Sequence, residues 1–113
     1  MKIVRDSISL DELRQMAEPF FGEMVKAVVD VERELMAVDS GLHSDLEALL
    51  LEDGSQQANL WGINVYPDAQ GDELIEFDSM INVRPLLDNR SRGVENSALR
   101  VRIRAIVNSR IHP

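Results

Sequence analysis

The sequence predicts an α+β fold: an antiparallel four-stranded meander sheet with an N-terminal and a C-terminal helix packed on one face. Three observations predict it. Apolar residues recur at helical spacing near both ends of the chain, strand-like patterns fill the middle, and short turn signals separate them. At 113 residues, 44% hydrophobic and 28% charged, the chain matches a single domain, residues 1–113, with its own core.

Lys2 to Arg5 reads as a short edge strand, and Asp6 to Ser9 offers cap residues for a helix. Leu10, Leu13, Met16, Ala17, Phe20, Phe21 and Met24 recur at spacings of three and four, a buried stripe over about 10–24. Pro19 and Gly22 break or end that helix. Residues 25–38 carry both periods. Val28, Val31, Leu35 and Val38 continue a helical stripe, whereas Val29, Val31, Leu35 and Ala37 alternate with Asp30, Glu32 and Glu34. Three valines within four positions favour strand, because β-branched side chains suit a pleated surface. Asp39-Ser40-Gly41 is a turn signal.

The apolar run Leu46 to Asp53, stopped by Gly54-Ser55, reads as the next strand. Leu60 to Tyr66 follows, with Trp61, Ile63 and Val65 on one face and Gly62 and Asn64 on the other. After the loop Pro67 to Gly71, Leu74 to Arg84 reads as a long strand. Ile75, Phe77, Ser79, Ile81 and Val83 face one way, and Met80 is the exception to the alternation. These two strands fit one register. Opposing Tyr66 to Leu74 sets Val65 against Ile75 and Ile63 against Phe77, so the large apolar residues share a face. Pro85 ends the strand and Leu86 to Gly93 is a loop. Glu95, Asn96 and Ser97 then start a helix whose stripe runs from Val94 through Ile103, Ile106 and Val107 to Ile111.

Net charge is −8, unevenly spread: residues 1–83 hold 5 Lys and Arg against 18 acids, residues 84–113 hold 7 Arg against 2 acids. The acidic body argues against non-specific nucleic-acid binding, which needs an unopposed basic surface. The Arg-rich segment either packs on that body or lines an anion site, since Arg is the planar, bidentate partner of phosphate and carboxylate. There is no cysteine, which removes disulfides and thiolate chemistry and fits a cytoplasmic protein. No apolar run exceeds four residues, so no membrane span is expected, and no signal peptide is visible at Met1 to Leu10.

Two constellations bear on chemistry. Asn64, Asp78, Asn82 and Arg84 fall on the polar face of the predicted hairpin, and Asn89, Arg90, Ser91 and Arg92 precede the last helix. Together they form a candidate face for a small anionic ligand, or a set of Arg residues paired with nearby acids. His43, Asp45 and Glu47 stand two apart; on a strand they would share one face, a weak metal-ligand set. Gly54-Ser55 lacks the spacing of a phosphate loop, no nucleophile elbow occurs, and no cofactor is expected.

The strings LHSDLEALLLEDGSQQANLWGINVYP (42–67), EFDSMINVRP (76–85) and NRSR (89–92) resemble a family of short bacterial and archaeal proteins classed as a domain of unknown function. The resemblance spans most of the chain, from the first helix to the last. It implies a free-standing cytoplasmic protein. It implies no activity and carries over no catalytic residue.

Three functions remain open on this reading. The first is a binding or interaction protein using the Arg/Asn face, with an anionic ligand, a protein partner or a second copy of itself. The second is a small hydrolase-type enzyme, metal-dependent through His43, Asp45 and Glu47 or acid–base through Asp78 with Arg84 as anion clamp. The third is a regulatory or toxin–antitoxin-type partner.

Overall fold

A computed structural model describes all 113 residues. In chain order the elements are β1 (Lys2–Val4), β2 (Ile8–Ser9), α1 (Leu10–Ala17), β3 (Val25–Asp30), β4 (Leu35–Val38), α2 (His43–Glu52), β5 (Leu60–Val65), β6 (Ile75–Glu76), α3 (Ser97–Arg110) and β7 (Ile111–His112). The main sheet has five antiparallel strands in the order β1-β4-β3-β5-β6. A two-residue parallel pairing of β2 with β7 ties the two ends of the chain together.

Alternation divides the sheet into two faces. Val25, Ala27 and Val29 of β3, Met36 and Val38 of β4, and Trp61, Ile63 and Val65 of β5 point to one side. There they join Leu13 and Ala17 of α1 and Ile103, Ile106 and Val107 of α3 in the larger core. The N- and C-terminal helices therefore cover the same face, as the sequence predicts. Val28, Leu35, Ala37 and Leu60 point to the other side and pack on Leu46 and Leu50 of α2 in a second core.

The helix α2 corrects the predicted strand over 46–53. Its buried residues His43, Leu46 and Leu50 are three and four apart, which is helical spacing. The short apolar run hides that period, but its Leu, Ala and Glu residues are strong helix formers. The strand preference over 25–38 holds, yet the segment is a hairpin rather than one strand. Asp30 closes the turn: its Oδ1 accepts from Glu32 N and Arg33 N at 2.9 Å each, and its carbonyl accepts from Glu34 N.

The first helix is shorter than the 10–24 stripe. Ser9 Oγ caps it by accepting from Glu12 N at 3.1 Å. Pro19 sits in the 3₁₀ turn that follows, and Phe21 and Gly22 are left-handed, with Gly22 N donating to Ala17 O at 2.9 Å. Asn96 caps α3 in the same way, accepting from Leu99 N at 3.0 Å.

The β5–β6 register is the predicted one: Val65 opposes Ile75, Asn64 opposes Glu76, and Tyr66 N donates to Leu74 O at 2.8 Å. The long strand over 74–84 does not form, however. The ladder stops at Glu76 and the chain turns through a 3₁₀ segment, Met80–Asn82. Met80, which broke the alternation, opens that turn.

Candidate functional site

The α2 face of β3 and β5 carries, by alternation, Lys26 and Asp30 on β3 and Gly62 and Asn64 on β5. Because β6 is only two residues long, the chain beyond it packs on this side as turns. Asn82 makes the join. Its Oδ1 accepts from Gly62 N at 2.8 Å, while its Nδ2 donates to Gly62 O at 2.9 Å and to Arg92 O at 3.0 Å. A side-chain amide thus takes the place of a strand neighbour. Asn89 holds the next loop in the same manner. Its Nδ2 donates to the carbonyls of Asn82, Ser91 and Gly93, and its Oδ1 accepts from Glu95 N at 2.9 Å. Both residues are buried.

The predicted Arg residues separate. Arg84 lies mostly buried over the Trp61 ring, 5.1 Å from its centroid, and donates to Glu47 Oε2 at 3.2 Å. Burial lowers the pKa of its guanidinium, and Glu47 opposes that. Arg90 is exposed and pairs with Asp88 at 2.9 Å. Arg92 gives its Nε to Asp78 Oδ1 at 2.7 Å. Asn64 is buried on the polar face; its Nδ2 donates to Glu76 Oε1 at 2.8 Å and its Oδ1 has no partner. All seven late Arg residues have partners: 84, 90, 92 and 104 pair with acids, while 100, 102 and 110 donate to main-chain carbonyls. Arg84, Arg92, Arg102, Arg104 and Arg110 in this way lay the C-terminal segment on the acidic body, whereas Arg90 and Arg100 bond within the segment itself.

Arg92 nonetheless belongs to a cavity that the sequence reading missed. A space of about 220 Å³ opens between the N-terminus of α2 and the Met80 turn. Lys26, Arg92, His43, Ser44 and Ser79 supply its polar lining, and no carboxylate lines it. The Lys26 ammonium has no hydrogen-bond or ion-pair partner, and the terminal nitrogens of Arg92 have none beyond the Nε–Asp78 pair. The first turn of α2 carries no side-chain cap, since Leu42 stands at the N-cap.

His43 forms one wall and is 8% exposed. Its Nε2 lies 2.8 Å from Ile63 O. A carbonyl only accepts, so Nε2 carries the proton, and in the neutral ring Nδ1 is left with a lone pair and no protein partner. Burial holds the His43 pKa below its usual value. The Ile63 carbonyl and Asp78 pull upward, and Lys26 and Arg92 push down.

The proposed set His43, Asp45 and Glu47 does not share a face, because the segment is helical: two residues along a helix is a turn of about 200°. No three His, Asp or Glu side chains gather to hold a metal ion anywhere in the chain. Lys26 escaped notice because it lies in the segment of mixed period. Its signal was its place opposite Asn64, which appears only once β3 and β5 are paired.

A family model described as a protein of unknown function, DUF5674, matches residues 2–110. The chain belongs to this family. No curated protein and no solved structure matches it. The family carries no assigned activity, so the chemistry of the site is the available guide to function. No helix is long and apolar enough to cross a membrane.

Proposed function

We propose that this chain is a binding protein for a small anion, held in the cavity between the N-terminus of α2 and the Met80 turn. The supporting observation is the lining. In a protein of net charge −8, this cavity gathers an unpaired Lys26 and the free terminal nitrogens of Arg92, whose Nε pairs with Asp78 outside the lining, beside an uncapped helix N-terminus. Helix N-terminal N–H groups and unpaired Lys and Arg donors together favour a phosphate or carboxylate. At about 220 Å³ the space suits one compact anionic group; ligand pockets for drug-sized molecules begin near roughly 300 Å³.

Titration calorimetry with inorganic phosphate and with citrate tests the reading. Saturable binding by the native chain, lost in the Lys26→Ala/Arg92→Ala variant at unchanged melting temperature, supports it. Absence of heat with either anion, or equal binding by the variant, rejects it.

A second reading, self-association, is favoured by a separate observation. Met80, Val83, Leu86 and Leu87 are exposed within one eight-residue stretch, and Leu86 is exposed completely. Such apolar exposure is typical of contact surfaces.

A further inference from the structure

We propose a second binding site, for a hard divalent cation of the calcium type, at the opposite end of α2. Asp30 is fully buried, at 0% exposed. Its Oδ1 is satisfied by the main-chain N–H groups of Glu32 and Arg33, but its Oδ2 has no hydrogen-bond partner. A buried carboxylate oxygen without a partner is costly unless something outside the chain meets it.

Asp30 lines a cavity of about 380 Å³ with Glu32, Arg33, Gly54, Gln56 and Asn59, and no apolar residue contributes to the lining. The side chains on offer are two carboxylates and two carboxamides. Arg33 is directed elsewhere, donating to Ser55 Oγ and to Asp53 Oδ2, each at 2.7 Å. Its guanidinium is therefore engaged by Asp53, a carboxylate it shares with Arg5 at 2.7 Å, and its side chain makes no bond to Asp30.

The helix supports the same sign. α2 ends at Glu52, with Asp53 as C-cap and no basic residue in its last turn, and Gly54 lies on the cavity wall. The C-terminal end of a helix carries partial negative charge and favours cations. Lys26 and Asp30 are four residues apart on one face of β3, roughly 13 Å. The two cavities thus sit at the two ends of one helix, matched in sign to its dipole.

Oxygen-only donors select hard cations, because softer transition metals favour imidazole or thiolate. Calcium accepts mixed carboxylate and carboxamide oxygens in flexible geometry, whereas magnesium demands near-octahedral order and keeps its water. With two carboxylates the site falls at the weak end of calcium affinities, on the order of 10⁻⁴–10⁻³ M.

Calcium chloride titrated into chelator-treated full-length protein, followed by calorimetry and thermal melts, tests the proposal. Magnesium chloride serves as comparison. The expected result is saturable calcium binding with a rise in melting temperature, and a smaller rise with magnesium. Asp30→Asn, which keeps Oδ1 for the turn, should abolish the rise. Glu32→Gln, at an exposed position, should weaken binding by about tenfold and carries the test should D30N fail to fold. Lys26→Ala/Arg92→Ala should bind calcium as the native chain does, which separates this site from the anion cavity. No calcium-dependent rise in the native protein overturns the proposal. So does an equal rise in E32Q and in the foldable D30N, the sign of diffuse attraction to an acidic surface.

Discussion

Asn82 and Gly62 are joined at two points: Gly62 N donates to Asn82 Oδ1 at 2.8 Å, and Asn82 Nδ2 donates to Gly62 O at 2.9 Å. The pair carries the sheet edge onward where β6 has stopped, and places the Met80 turn over α2. Asn82→Ala leaves a buried N–H and a buried C=O unmatched. The expected loss is roughly 2–5 kcal/mol of unfolding free energy, read by urea denaturation. A loss under about 0.5 kcal/mol would show that water replaces the amide without cost.

Gly62 is required for closeness. A Cβ there would lie 2.5 Å from both Cβ and Oγ of Ser79 and 3.1 Å from Ile81 Cγ1. Gly62→Ala should cost roughly 1–3 kcal/mol by overpacking. Gly62→Ala/Ser79→Gly should recover part of that loss. Strictly additive single effects would rule out the Ser79 contact as the cause.

His43 makes stability depend on pH. Its folded pKa lies below the unfolded value near 6.5, so the unfolded chain takes up a proton first as pH falls. The contribution is complete above about pH 6.5 and declines as pH drops from there towards the folded pKa. The urea midpoint should therefore fall between pH 7.5 and 5.5, and fall less in His43→Gln. Parallel pH profiles for the two proteins would count against this assignment.

The same histidine reports on the anion cavity. An anion bound beside Lys26 and Arg92 would favour the imidazolium form, so saturating phosphate should raise the His43 pKa followed by NMR. The Lys26→Ala/Arg92→Ala variant should show no such change. An unmoved native pKa in saturating phosphate argues against binding at this wall.

Self-association predicts a concentration-dependent mass. Light scattering on the native chain should give a dimer, and Leu86→Asp/Leu87→Asp a monomer of equal helicity. A native chain that stays monomeric across the micromolar range removes this reading.

Much of the fold is written in local pattern. Alternation set the β5–β6 register, because a one-residue slip would have placed Phe77 against Asn64 and mixed both faces. The stripes starting at Leu10 and near Val94 placed the terminal helices on one side of the sheet, and Ser9 and Asn96 were among the cap residues at their starts, although the first stripe ran on to Met24 where the helix stops at Ala17. The Arg residues were legible as a group but not individually. Asp78 was among the nearby acids expected to pair with them, but Glu47 and the carbonyls of Val31 and Glu34 are set by packing rather than by spacing.

What the sequence determined by itself is the α+β class, the antiparallel pairing and the two terminal helices, since these rest on periods that a single segment displays. Only the tertiary structure decided that 43–52 is a helix, that the chain turns at Met80, and that Lys26, His43 and Arg92 meet. A four-residue apolar run satisfies either period, and packing against Val28, Ala37 and Leu60 selects the helix. The cavity exists because three distant segments converge at the end of that helix, and convergence leaves no period in the chain.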